Sequence, residues 1–220
     1  MNEVLISKMQ FYIEPEVSWT SWLNKACLSG NDLTELGSFL KSKLKGGTFI
    51  DVPCGYEYKA ENELSVFEIA KELGVYGFIE VDKYEEALGE RLNNSNRVVD
   101  EVRVSTHQAD ILEFLFKKEL NQDSTNRAFY ISGLQPDEEF CKEPSNQSDV
   151  AVPYLHALYE ELARVSKVGD LVILNEANAL VLGIDENIYP DIHPSVALPT
   201  LGFKCQRTCQ YNKVQVFEKV

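Results

Sequence analysis

Runs of β-branched and aromatic residues alternate with amphipathic segments along most of this chain. Strand-like runs are predicted at 48–52, 75–81, 98–104, 127–132 and 170–175. Between them, apolar residues recur at spacings of three and four, which is typical of helices with one buried side. Regular alternation of strands and helices predicts a parallel sheet with helices on both faces.

Two of the predicted helices carry start and stop signals. Asp32 followed by Glu35 has the spacing of a capping box, and the helix that it begins is expected to end at Gly46. Asn62 is placed to cap a second helix that ends at Gly74. Further helices are predicted at 84–92, 114–120 and 154–166.

The end of the chain departs from this alternation. The runs at 203–211 and 213–219 are separated by a short turn at Asn212 and predict an antiparallel pair. The polar stretch 135–149 is predicted to be a loop, and the proline-containing stretch 177–201 is predicted to be irregular. The fold class is therefore α/β, a three-layer Rossmann-like sandwich with a mostly parallel seven-stranded sheet and an antiparallel strand near the C-terminus.

An aromatic segment precedes the first strand. Trp19 and Trp22 are three residues apart and would share one face of a short helix. We therefore predict an N-terminal helical cap over residues 1–45, followed by one Rossmann-like domain over residues 46–220.

Composition and charge narrow the range of functions. The chain has 220 residues, of which 44% are hydrophobic and 25% are charged, enough for one well-packed domain. Its formal net charge of -14 argues against binding of phosphate backbones, so no nucleic acid partner is expected. There is no secretory signal and no apolar run of membrane-spanning length, so we expect a soluble cytoplasmic protein without a membrane partner.

The five cysteines do not form a metal-binding or disulfide pattern. They are odd in number and include no Cys-x-x-Cys pair. We expect no metal site and interpret them as free, mostly buried thiols.

The stretch GTFIDVPCGYEY, residues 47–58, is the strongest candidate for a ligand site. A strand ends at Asp51 and a Pro-Cys-Gly turn follows it. In open α/β sheets, ligands bind at the carboxyl ends of the strands, where such loops lie. Glycine at position 55 would let a ligand approach the backbone closely.

Five segments, taken in order, resemble the class I S-adenosylmethionine-dependent methyltransferases. FIDVPCG at 49–55 is similar to the family's first motif, and FIEVD at 78–82 to its second strand with a terminal acid. HQADI at 107–111 resembles the segment that lines the adenine, KVGDLVIL at 167–174 the turn into strand five, and LGF at 201–203 the start of strand six. The resemblance covers about residues 46–220 and implies S-adenosyl-L-methionine as the cofactor.

The resemblance also implies roles for individual residues. Asp82 would accept hydrogen bonds from the two ribose hydroxyls, and Asp110 would accept one from the adenine amine. Asp51 would attract the ammonium group of the methionine end, and backbone N–H groups of the turn after it would bind the carboxylate. The full set of expected cofactor-binding residues is Asp51, Pro53, Cys54, Gly55, Tyr56, Asp82, Lys83, Asp110, Ile111, Ser132 and Gly133.

The loop at 53–57 departs from the family pattern. Pro53 stands where the family has its first glycine, and Glu57 where it has its third. The same two residues interrupt the Gly-x-Gly-x-x-Gly pattern that a nicotinamide dehydrogenase would need. The same fold would also suit a non-catalytic protein acting as a binding or partner subunit, or a different transferase such as an aminopropyltransferase.

Catalytic residues are not specified by the pattern. Methyl transfer from a sulfonium depends mainly on positioning and needs no fixed nucleophile. If a base is needed, His156, Glu176, Tyr12 and His193 are candidates by location alone. The amino-methylating signature Asn-Pro-Pro-Tyr is absent, and we expect a small-molecule methyl acceptor, with a homodimer left open.

Overall fold

The computed structural model is built around one eight-stranded sheet. It describes residues 2–11, 20–30, 32–53, 63–117, 125–132, 134, 136–175, 181, 183–185, 187–209 and 213–220. The helices are α1 (Asn2–Lys8), α2 (Thr20–Cys27), α3 (Glu35–Leu44), α4 (Val66–Glu72), α5 (Glu85–Leu88), α6 (Ile111–Lys117), α7 (Glu138–Cys141), α8 (Pro144–Asn146), α9 (Val152–Val165) and α10 (Pro194–Thr200). The strands are β1 (Leu28–Ser29), β2 (Asp32–Leu33), β3 (Thr48–Asp51), β4 (Gly77–Asp82), β5 (Asn96–Val99), β6 (Val102–Gln108), β7 (Arg127–Ile131), β8 (Leu171–Asn175), β9 (Phe203–Cys209) and β10 (Val214–Lys219).

The order of the strands in the sheet is β5-β6-β4-β3-β7-β8-β10-β9, and β1 and β2 form a separate two-residue ribbon. The strands β6, β4, β3, β7 and β8 run parallel to one another. Strand β10 is antiparallel to both of its neighbours. The Rossmann-like α/β class and the antiparallel strand near the C-terminus are confirmed, but the predicted number of seven strands is wrong.

The eighth strand comes from a hairpin inside the run 98–104, which we predicted as one strand. The chain reverses at Asp100 and Glu101, whose φ angles are 48° and 71°, so that Val99 faces Val102. Two consecutive positive φ angles are typical of a two-residue type I′ hairpin turn. Such turns usually contain Asn or Gly. Because neither residue is present at this turn, the sequence did not indicate the hairpin.

Replacing Glu101 by glycine is expected to stabilise the protein by about 0.5–1 kcal/mol. The left-handed conformation costs a non-glycine residue about 1–2 kcal/mol, and the greater freedom of glycine in the unfolded chain offsets part of the gain. Urea unfolding of Glu101→Gly measures this. Glu101→Ala is the control, because it removes the same charge but keeps the Cβ atom, and an equal gain in both variants would contradict the prediction.

Both faces of the sheet are buried, as is usual for parallel sheets. Helices α2, α3 and α4 cover one face and pack against Phe49, Phe78 and Tyr130. Helices α1, α6, α9 and α10 cover the other face. Among the described residues, none of the helices has the length and apolar character needed to cross a bilayer. The division into a cap over 1–45 and a domain over 46–220 remains a prediction.

The two predicted helix starts were each misplaced by a few residues. Thr34, not Asp32, caps α3 by accepting a hydrogen bond from the backbone of the first turn, because Asp32 belongs to the β1–β2 ribbon. Ser65 caps α4 in a reciprocal capping box with Glu68. Asn62, the cap that we predicted for this helix, lies outside the described residues.

Two segments that we predicted to lack regular structure contain helices. The stretch 135–149 includes α7, α8 and the start of a π-helical turn, and the stretch 177–201 includes α10. Pro144 and Pro194 lie in the first turns of α8 and α10, where the missing N–H group costs no helical hydrogen bond. Prolines within these two segments are therefore compatible with helix starts.

Candidate functional site

Two buried carboxylates end the adjacent strands β3 and β4. Asp51 is the last residue of β3 and Asp82 the last of β4, and each is 4% exposed. Asp51 is in register with Glu80, two residues before Asp82. Because side chains alternate along a strand, all three carboxylates lie on the same face of the sheet. This is the face that α3 and α4 cover.

Glu80 is the centre of a buried hydrogen-bonded network. Arg91 Nη1 donates to one carboxylate oxygen at 2.9 Å, and Arg97 Nη2 and Thr106 Oγ1 donate to the other at 2.8 and 2.7 Å. Arg91 also donates to two carbonyl oxygens at the end of α5. None of these residues was predicted from the sequence, although an acidic residue inside an apolar strand is a signal for such a network.

The surroundings of Asp51 favour a bound cation. Burial is the main factor that raises the pKa of the Asp51 carboxyl well above its ordinary value, and the charges of Glu80 and Asp82 raise it further, while Arg91 opposes them. The arginines Arg91 and Arg97 both pair with Glu80. A cationic ligand group beside Asp51 would therefore stabilise its ionised form.

Asp82 anchors the turn that follows β4. Its carboxylate accepts a hydrogen bond from the backbone N–H of Tyr84 at 2.9 Å, and its carbonyl oxygen accepts one from Ala109 at 2.8 Å. These bonds hold the turn with Lys83 against the carboxyl end of β6. The ammonium group of Lys83 is close enough to oppose the rise in the pKa of Asp110.

Asp110 has a structural role that the sequence did not reveal. Its Oδ1 atom accepts hydrogen bonds from Leu112 N at 2.9 Å and from the Tyr154 hydroxyl at 2.8 Å, so it fixes the start of α6. Burial raises the pKa of this carboxyl, and the bond from Tyr154 opposes that rise. Ile111, the first residue of α6, is 5% exposed and packs in the core.

The end of β7 completes this edge of the sheet. Tyr130 is in register with Asp51, and its hydroxyl lies near Ser132 but forms no hydrogen bond of acceptable geometry within the described residues. Burial raises the pKa of the Tyr130 phenol, so it stays neutral and available as a donor. Asn175 Nδ2 approaches Ser132 Oγ at 3.5 Å, which is long for a hydrogen bond.

Part of the predicted site lies outside the described residues. The Val52–Pro53 peptide bond is cis, and Val52 N donates to Tyr130 O at 2.9 Å. The expected cofactor-binding residues outside the described part of the chain are Cys54, Gly55, Tyr56 and Gly133.

The candidate bases have structural partners where they are described. His156, on α9, is 3.6 Å from Asp191 in a surface contact between Nε2 and Oδ2. His193 caps α10 through its Nδ1 atom, which accepts a hydrogen bond from Ser195 N. Tyr12 and Glu176 lie outside the described residues.

Comparisons with known proteins identify the fold but not a family. No protein-family model and no curated protein matches the sequence. A DUF574 family protein from Streptomyces avermitilis matches the structure with a TM-score of 0.50 at 15% identity, covering 92% of this chain and 82% of that one. A TehB-like S-adenosylmethionine-dependent methyltransferase from Corynebacterium glutamicum matches with a TM-score of 0.46 at 10% identity, covering 87% and 90%. The antibiotic-resistance methyltransferase Kmr matches with a TM-score of 0.43 at 18% identity, covering 87% and 96%. The chain has the Rossmann-like class I methyltransferase fold.

One expectation from composition is wrong. We expected a small-molecule acceptor and no nucleic acid because the chain is strongly acidic; that exclusion is wrong, and the comparisons do not establish the class of acceptor. Net charge is summed over the whole molecule, whereas a substrate meets only the surface around the site. A net charge of -14 therefore does not exclude a nucleic acid substrate.

Proposed function

We propose that the protein binds S-adenosyl-L-methionine at the carboxyl ends of β3 and β4 and transfers its methyl group to an acceptor. The observation that carries this proposal is the pair of buried carboxylates, Asp51 and Asp82, at the ends of two adjacent parallel strands. A ligand that has a ribose at one end and an amino-acid ammonium at the other needs one carboxylate at each position.

The residues present fit this cofactor in charge. S-adenosylmethionine carries a sulfonium and an ammonium against one carboxylate, so it is a net cation. Arg91 and Arg97 both form ion pairs with Glu80, the third carboxylate on this face. Asp51 and Asp82 would add negative charge where the cation lies, and the Tyr130 hydroxyl adds a buried donor beside Asp51.

Each end of the cofactor has assigned residues in this proposal. Asp82 binds the ribose, and Asp51 the ammonium group. Leu112 N–H and the Tyr154 hydroxyl both donate hydrogen bonds to Asp110 Oδ1. Asp110 would therefore bind the adenine amine only through the acceptor positions that these two bonds leave unused. The remaining proposed contacts are Lys83 and Ile111 beside the adenine, Pro53, Cys54, Gly55 and Tyr56 around the methionine carboxylate, and Ser132 and Gly133 beside the methyl group.

The protein would act mainly by positioning. When bound, the cofactor would supply an electrophilic methyl group on its sulfonium, which the acceptor would attack with S-adenosylhomocysteine as the leaving group. Holding two reactants in line can lower the barrier by about 7–11 kcal/mol. Asp51 and Asp82 would fix the two ends of the cofactor, and the ends of β3 and β7 would exclude water from between them.

Replacing Asp82 by alanine is expected to weaken binding of S-adenosylhomocysteine by about 1–3 kcal/mol, because the ribose hydroxyls lose their buried acceptor. Calorimetric titration measures this. Glu160→Ala, an exposed substitution on α9, is the control and should bind like the wild type. No binding by folded wild-type protein would refute the proposed function, and competition by NAD would favour a dehydrogenase instead.

A second assay identifies the acceptor once binding is established. Incorporation of labelled methyl groups is measured with an RNA pool and, separately, with a panel of small nucleophiles. Binding of S-adenosylhomocysteine without transfer to either class would favour a non-catalytic role as a binding or partner subunit.

A further inference from the structure

Three tyrosines in the described part of the chain are at most 1% exposed, and their hydroxyl groups differ in one respect. The Tyr154 hydroxyl donates to Asp110 Oδ1 at 2.8 Å, and the Tyr159 hydroxyl donates to the carbonyl oxygen of Ile192 at 2.9 Å. The Tyr130 hydroxyl has no hydrogen-bond partner among the described residues. A polar group that is buried without a partner costs free energy. A ligand that supplies an acceptor to this hydroxyl would remove that cost.

The position of Tyr130 places its hydroxyl at the proposed site. Tyr130 is in register with Asp51 on the neighbouring parallel strand. Adjacent strands are about 4.8 Å apart, and residues in register point to the same face of a sheet. The charge of Asp51 contributes to the raised pKa of the Tyr130 phenol, and the hydroxyl lies near Ser132, which directly follows β7 and is partly exposed. The hydroxyl and the Asp51 carboxylate therefore lie at the same edge of the sheet.

This pair has the chemistry that the amino-acid end of a ligand needs. An α-amino acid carries its ammonium and its carboxylate on the same carbon atom, so a protein that binds both needs an acceptor beside a donor. A lysine or an arginine in the donor position would pair with Asp51 and compete with the ammonium. Burial is the main cause that raises the pKa of Tyr130, so its phenol stays neutral and can donate to a carboxylate without neutralising Asp51.

We propose that the Tyr130 hydroxyl binds the carboxylate of the cofactor's amino-acid end, while Asp51 binds the ammonium group beside it. This inference rests on the proposed function, and it adds a side-chain donor within the described sheet to the backbone donors expected in the loop after β3. Tyr130 is then a residue that distinguishes a complete amino-acid end from one that lacks the carboxylate. The sequence resemblance did not indicate this role.

The binding test uses two ligands that differ only in the carboxylate. These are S-adenosylhomocysteine and its decarboxylated analogue, which keeps the adenosine, the sulfur and the ammonium. Tyr130→Phe is expected to weaken calorimetric binding of S-adenosylhomocysteine about tenfold or more, the effect of losing a hydrogen bond to a charged group. Its affinity for the decarboxylated analogue should equal that of the wild type.

Urea unfolding of the ligand-free proteins gives a second measurement. Tyr130→Phe removes an oxygen atom that has no partner among the described residues, so the variant should be at least as stable as the wild type. Tyr159→Phe is the matched control, because it removes a hydroxyl that is bonded to Ile192 O in the core on the other face of the sheet. The control should be less stable than the wild type and should bind both ligands like it.

The outcomes separate this inference from the proposed function. If folded wild-type protein binds neither ligand, the proposed function fails. If the wild type binds S-adenosylhomocysteine and Tyr130→Phe binds it equally well, only the inference is overturned. Equal weakening of both ligands in Tyr130→Phe would also overturn it. A loss of stability in Tyr130→Phe as large as that in Tyr159→Phe would show that the hydroxyl has a structural partner, which contradicts the inference as well.

Discussion

Replacing Asp170 by alanine is expected to lower the free energy of unfolding by about 3–5 kcal/mol, because it leaves a buried arginine without its counter-charge. The side chains of Arg127 and Asp170 are 3% and 0% exposed. Arg127 donates to Asp170 Oδ2 from Nε at 3.0 Å and from Nη2 at 2.5 Å. Backbone N–H groups of Arg127 and Lys167 complete the coordination of the carboxylate. The pair therefore joins the amino ends of β7 and β8.

Urea denaturation followed by circular dichroism measures this loss. Glu139→Ala is the control, since Glu139 pairs with Lys142 but its side chain is 80% exposed, and exposed pairs contribute at most about 1 kcal/mol. The affinity of the folded Asp170→Ala protein for S-adenosylhomocysteine should be unchanged, because the pair lies at the opposite ends of the strands from the site. A loss no larger than that of Glu139→Ala would contradict the prediction.

The order of elements was predictable in part because strands such as β7 and β8 of the parallel core have a nearly continuous apolar run. The runs at 127–132 and 170–175 became β7 and β8 with a difference of one residue. Both strands are buried along their whole length. Polar residues therefore do not alternate with the apolar ones, and the apolar run is easy to identify in the sequence. The position of Asp82 at the end of β4 was predictable for the same reason.

Features that depend on one backbone angle or one side-chain bond were not predictable. The hairpin at Asp100 and Glu101 needs two consecutive positive φ angles, which Asp tolerates but Glu does not favour. The start of α3 depended on whether Asp32 or Thr34 supplied the cap, and pairing of Asp32 in the β1–β2 ribbon decided it. The spacing of residues along the sequence does not show which of two nearby residues caps a helix.

The polar network around Glu80 shows a further limit of sequence patterns. Its two arginines come from the turn after α5 and from β5, eleven and seventeen residues later in the chain. The register that places Glu80 beside Asp51 is a property of the paired strands. An acidic residue within the strand could have indicated that a buried cationic partner exists. Only the fold identifies the two arginines that bind it.

Replacing Asp51 by asparagine is expected to stabilise the folded protein above neutral pH while it weakens cofactor binding. The pKa of Asp51 is raised well above its ordinary value, chiefly by burial. Between the unfolded pKa of about 3.9 and the raised folded pKa, the folded state binds more protons than the unfolded state. The free energy of unfolding of the wild type therefore falls as pH rises through this window, by about 1.4 kcal/mol for each unit by which the pKa is raised.

Asparagine cannot ionise, so Asp51→Asn should lack this fall. The two proteins should have similar stability near pH 4, and the variant should be the more stable one at pH 8, as measured by urea unfolding across the pH range. Asp100→Asn is the control: the side chain of Asp100 is 63% exposed and pairs with Lys71, so its substitution should not make the variant increasingly more stable than the wild type as pH rises. A variant that is less stable than the wild type at pH 8 would show that Asp51 is stabilised as an anion by the protein itself.

The same substitution links the stability of the site to its function. Burial and the charge of Glu80 both disfavour ionisation of the Asp51 carboxyl. If the ionised carboxylate nevertheless binds the ammonium group, Asp51→Asn should lose affinity for S-adenosylmethionine by about tenfold or more, the scale of one charge-assisted hydrogen bond. Titration at pH 8 measures this loss under the conditions in which the variant is the more stable protein, so unfolding cannot explain it. Equal affinity of the two proteins would remove Asp51 from the proposed site and leave Asp82 as its only supported carboxylate.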